Sequence, residues 1–95
     1  MERPTFEAML EAATGVEREG NEYTVTQGYS LSVYIGDPGQ AMEVSEVVGL
    51  RLDAAFCAAT SREHNSVYYV EYSSLHGICV RPPSGVGGGR RAGFS

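Results

Sequence analysis

Apolar positions along the chain follow two different periods. Between Pro4 and Gly15 they recur every three to four residues: Phe6, Met9, Leu10 and Ala13 form one stripe, with Glu7 and Glu11 pointing away. The spacing predicts a helix over residues 5–14, with Pro4 suited to its first turn and Gly15 to its stop. Such a stripe must pack on something, here one face or end of a sheet.

Beyond Gly15 the period falls to two. "EYTVT" places Tyr23 and Val25 on one side, and "YSLSVYI" sets Tyr29, Leu31, Val33 and Ile35 against Ser30, Ser32 and Tyr34. "EGN" at 19–21, "QG" at 27–28 and "GDPGQ" at 36–40 read as turns. The long run "AMEVSEVVGLRLDAAFCAAT" predicts two strands, or one strongly bent strand, with Gly49 as the bend or bulge. "SREHN" is a polar turn, "SVYYVEY" a strand and "GICV" the last one.

The segment between those last two strands decides the architecture. In "NSVYYVEYSSLHGICVRPP", Tyr68, Val70 and Tyr72 share one face and Tyr69 and Glu71 the other. Ser73 and Ser74 interrupt, since their hydroxyls compete with the ladder for backbone partners. Gly77 can relax into an unusual backbone angle, and Pro82 with Pro83 ends the sheet. This is how a small barrel turns its closing corner. The expectation is one mainly β, α+β domain over residues 1–81. Its N-terminal helix leads a five- to six-stranded antiparallel SH3/Sm-like small barrel or meander, and residues 82–95 form a Gly/Arg-rich flexible tail.

Charge sharpens the picture. Through Val80 the chain sets four arginines against all twelve acids, a formal −8, and it has no lysine. Arg81, Arg90 and Arg91 then add a formal +3 with no acidic side chain. An acidic body repels a phosphate backbone and favours basic partners. Apolar runs are far shorter than the roughly 20 residues of a membrane helix, so no membrane contact is expected. The opening "MERPTFEAML" has no apolar leader core, which points to the cytoplasm and to cysteines left as thiols.

Candidate chemistry is sparse. Cys57, Cys79, His64 and His76 lack the spacing of a metal site, and no partner completes a cysteine nucleophile around Cys79. Glu43 and Glu46 face opposite ways in a regular strand, so they make no acid–base pair. "GVGGG" has no lysine–serine ending and is not a phosphate loop. No enzyme activity, cofactor or metal is expected.

The order of elements resembles the Sm-like (Hfq-like) small barrels. A helix leads into "LSVYI", a bent strand reaches "LDAAF" around Asp53, and "VYYVEY" and a short last strand follow. The resemblance implies a small closed barrel and does not carry RNA binding over to this chain. Three features depart from that pattern. Residues from Gly15 to Gly28 are an insert, Tyr69, Val70 and Glu71 stand where the family places a basic pair, and Cys57 stands where it has an asparagine. The leading expectation is therefore a non-catalytic protein-binding or assembly module that self-associates and takes a basic or nucleic-acid-binding protein partner. Its candidate interface is Tyr68, Tyr69, Glu71, Tyr72 and His76. The alternative is an Sm-like RNA ring using that tyrosine face with Arg90, Arg91 and Phe94 of the tail.

Overall fold

The computed structural model describes residues 1–37 and 39–83. Helix α1 (Arg3–Ala12) is followed by β1 (Val16–Glu19), β2 (Glu22–Val25), β3 (Ser30–Ile35), β4 (Met42–Leu52), β5 (Phe56–Ser61), β6 (Ser66–Glu71) and β7 (Leu75–Arg81). The seven strands form one antiparallel sheet, curled into a half-barrel that the helix covers. The fold is mainly β, α+β, as the two periods predict, with more strands than the five or six expected.

The extra strand is β1. Its sequence, "VERE", has one apolar residue, so alternation could not reveal it. It forms because β2 offers an edge: Val16 lies opposite Val25 and Arg18 opposite Tyr23. The insert at residues 15–28 is thus a hairpin added to the sheet. Asn21, in its turn, accepts from the Leu52 N–H through its carbonyl and donates from its side chain to the Leu52 carbonyl.

Strand β4 is the spine. One edge pairs with β3 near its start and with β2 near its end, while β5 occupies the opposite edge of its second half. It is bent, as expected, and one of its register shifts ends at Gly49, although Gly49 itself stays out of the left-handed region. Register shifts fall between Val44 and Val47 and between Val47 and Gly49, and Glu46 carries the positive φ of 55°. The break between β4 and β5 lies at Asp53–Ala55.

The core fills the hollow between the inner sheet face and α1. Tyr23, Leu50, Ala59 and Tyr68 lie opposite one another in a row across four strands, and Leu52, Cys57 and Val70 form the next row. Phe6 and Leu10 of the helix are fully buried against this hollow. A ten-residue helix is too short to hold itself in water. Burying two such side chains contributes roughly 1.5–3 kcal/mol each, and that packing keeps it folded.

The helix begins and ends two residues earlier than predicted. At its start the Met1 amino group donates to the carbonyls of Tyr72 and Leu75, at 2.8 and 2.9 Å, and Arg3 donates to the Asp53 carbonyl. At its end Ala13 is already extended, and Gly15, at φ 88°, turns the chain into β1 with the Tyr29 ring where a Cβ would stand.

The closing corner is present. Residues Tyr72–Ser74 make one 3-10 turn, after which β7 returns to pair along β3. The strand is longer than "GICV", and its irregularity falls at His76, which has no opposite number between Tyr34 and Ile35; Gly77 itself stays out of the left-handed region.

Candidate interaction surface

Strands β6 and β7 each have a partner on one side only. β6 pairs with β5 and β7 with β3, and the 3-10 turn Tyr72–Ser74 joins them. The half-barrel stays open between β6 and the start of β4. A groove of about 430 Å³ lies there, lined by Ile35, Gln40, Met42, Tyr69 and Val70. Met42 is half exposed at its rim. The connection on its far side is pinned to the corner by the Gly36 N–H on the Ser74 carbonyl, at 2.9 Å, and by His76 Nε2 on the Gly36 carbonyl.

The five residues expected to form an interface are distributed over four environments. Tyr72 is buried, donating its hydroxyl to the Asp53 carbonyl at 2.5 Å. Tyr68 is half-buried beside the core on the inner face. Tyr69 and Glu71 stand on the outer face, and Tyr69 is 68% exposed, edge-on to Phe56 with ring centroids 6.0 Å apart. His76 is exposed at the bulge of β7. The alternation of the strand foretold the split of Tyr68 and Tyr72 from Tyr69 and Glu71. Arg90, Arg91 and Phe94 lie outside the described residues.

Several titratable groups on the described surface are tied to neighbours. Glu43 accepts from the Ser32 hydroxyl at 2.7 Å and Glu46 from that of Ser30 at 3.3 Å. Arg51 holds Asp53 at 3.0 Å, and that hydrogen bond raises the guanidinium above its ordinary range. Both cysteines are free. Cys57 is buried, and desolvation pushes its thiol up to about 11, the opposite of what a nucleophile needs. No group of three or more His, Cys, Asp or Glu arranged for a metal occurs among the described residues.

Compared with protein-family models, characterised proteins and solved structures, the chain gives no match. The geometry alone therefore carries the functional reading. No described helix is long and apolar enough to cross a membrane.

Groove-lining residues that sequence reasoning did not single out are Ile35 and Met42. The turn between them sits 30 residues ahead of the β6 edge in sequence, and their alternation marked them only as ordinary strand positions. The signal available was an apolar Met42 directly after a turn, opposite Ile35.

Proposed function

We propose that this protein is a non-catalytic binding and assembly module, which joins further copies of itself strand to strand and takes a basic protein partner on its acidic body. The observation that carries this reading is the open β6 edge beside the apolar groove of Ile35, Met42 and Val70. An unpaired strand edge is a template for another strand, whose alternate side chains would fill such a groove. The β7 edge is the second half of the same arrangement, so each copy can offer one edge to each neighbour. Edges that differ make a head-to-tail interface, which closes into a ring or runs on as a filament.

The helix followed by β3 to β7, with β7 returning to β3, supports an Sm-like small barrel. The thiols suit a reducing compartment, in keeping with a cytoplasmic role. The inert Cys57 and the hydrogen-bonded Glu43 favour binding over catalysis. An Sm-like RNA ring is the second reading, and the exposed Tyr69 beside Phe56 is what favours it, as a surface on which bases could stack. The formal −8 of the first 80 residues weighs against it.

The test is absolute mass by light scattering on a sizing column, with the absorbance ratio read on the same peak. A discrete multiple of 10.2 kDa that survives about 0.5 M salt is the expected result. A monomer at every concentration up to about 0.1 mM would overturn self-assembly. Nucleic acid carried in the peak and lost with salt would promote the RNA ring.

A further inference from the structure

The outer face of the sheet carries a second feature, which meets the open β6 edge at Tyr69. Residues directly opposite one another in an antiparallel sheet share a face, so the registers can be read straight across. One outer row runs Glu19, Glu22, Arg51, Ala58, Tyr69 from β1 to β6. The next runs Glu17, Thr24, Gly49, Thr60, Val67. The face is thus acidic at one side, small in the middle and apolar at the other.

The middle is a trough of about 290 Å³, floored by Gly49, Ala58 and Thr60. Its apolar wall is Val67 and Tyr69, 47% and 68% exposed, with Phe56 behind Tyr69. Solvent-facing strands ordinarily show charges there, so two large exposed apolar residues beside a small-residue floor mark a contact surface. Its other wall is β1 and β2, whose Glu17, Glu19 and Glu22 have no ion-pair partner among the described residues. Glu19 and Glu22 stand directly opposite each other, an arrangement that costs stability unless a cation sits over both. Arg51, opposite Glu22, acts on it only at longer range, since its ion pair is with Asp53 at 3.0 Å.

We infer that this face docks an amphipathic basic α-helix of a protein partner. Its cationic side lies on Glu17, Glu19 and Glu22, and its apolar side lies in the trough against Val67 and Tyr69. Shape and charge both select this occupant. The gap between β2 and β6 is three strand spacings, about 14 Å, and a helix with its side chains is about 10–12 Å across. A nucleic acid strand would set its phosphates against three carboxylates. The inference deepens the proposed function, since it gives the basic partner a surface. It does not depend on self-assembly: Glu17, Glu22, Thr24 and Thr60 of this face lie away from the open edges, and Tyr69 is what the trough and the edge groove share.

The experiment titrates the isotope-labelled full chain with a synthetic leucine–lysine amphipathic helix of about five turns, followed by amide chemical shifts. A helix of the same pattern with glutamate for lysine is the control. Expected shifts centre on Glu17, Glu22, Thr24, Ala58, Thr60 and Tyr69, and the acidic control leaves them unmoved. Affinity falls about tenfold in the triple variant Glu17→Gln, Glu19→Gln, Glu22→Gln. It falls by a similar factor in Tyr69→Ser, which leaves every charge in place and touches only an exposed side chain. Binding that Tyr69→Ser leaves unchanged, and that disappears at about 0.3 M salt, is attraction to net charge alone and overturns the inference. Shifts centred on the β6 and β7 edges also overturn it, in favour of edge pairing by the peptide. If Arg90→Ala with Arg91→Ala, without peptide, moves the same face resonances, its occupant is the chain's own basic segment and not a partner. A monomeric mass would refute the assembly reading and leave these shifts as they are.

Discussion

Tyr72 and Asp53, 19 residues apart in sequence, meet through the tyrosine hydroxyl and the aspartate carbonyl at 2.5 Å. That one bond ties the corner after β6 to the corner after β4. Arg3 donates to the same carbonyl at 3.2 Å, so the helix joins both corners. The open side of the half-barrel is held in shape by this junction and by the Met1 amino group on the Tyr72 and Leu75 carbonyls.

Tyr72→Phe removes the hydroxyl and nothing else. Arg3 still satisfies the Asp53 carbonyl, so the expected loss is about 1 kcal/mol. Tyr72→Ala also empties a buried ring site and should cost about 3–5 kcal/mol. Urea unfolding of the two variants checks both values, and equal losses would mean that the hydroxyl, not the ring, holds the corner.

Cys57 makes stability depend on pH at the alkaline end. Desolvation raises its thiol from an ordinary 9.0 to about 11 in the folded chain. The unfolded chain releases the proton first, so this contribution is whole below about pH 9 and is lost as pH rises through about 11. The full loss is about 2–3 kcal/mol. Burial also raises Tyr23 and Tyr72, which act in the same direction. Unfolding series from neutral pH to about 11 should therefore fall less steeply for Cys57→Ala than for the parent, and parallel curves would refute the assignment. In the folded protein a thiol reagent should reach half-buried Cys79 well before Cys57.

Glu46 stands at a φ of 55° because two register shifts surround it. Among the described residues its side chain reaches only Ser30 at 3.3 Å and Arg62 at 3.9 Å, both exposed contacts of little weight. Glu46→Gly should accordingly stabilise by about 0.5–1 kcal/mol, and Glu46→Val should destabilise by about 1–2. Thermal midpoints that move the same way in both would mean that the bulge is not what strains this residue.

Gly15 and Gly20 separate backbone strain from packing. Both have positive φ, but a Cβ at Gly15 would stand in the Tyr29 ring, whereas nothing lies within 4 Å at Gly20. Gly20→Ala should cost about 1 kcal/mol and Gly15→Ala about 2–4. Coupling Gly15→Ala to Tyr29→Ala should recover part of the difference in a double-mutant cycle.

By itself the sequence determined the elements that depend on neighbours a few residues away. The stripe of Phe6 and Leu10 specifies a helix, the alternation of Leu31 and Val33 a strand, and Ser73–Ser74 with Pro82–Pro83 a corner and a stop. The split of Tyr69 and Glu71 from Tyr68 follows from the same period of two. Tertiary structure decided what depends on distant pairing. β1 is a strand only because β2 offers it an edge, for "VERE" has no pattern of its own. Glu46 rather than Gly49 takes the left-handed angle because β4 must satisfy β3, β2 and β5 at once. Tyr72 is fixed in the core by Asp53, 19 residues earlier, whose carbonyl takes its hydroxyl. Glu17 and Tyr69 come onto one face through four successive registers, and no local period can encode a relation carried by hydrogen bonds between strands.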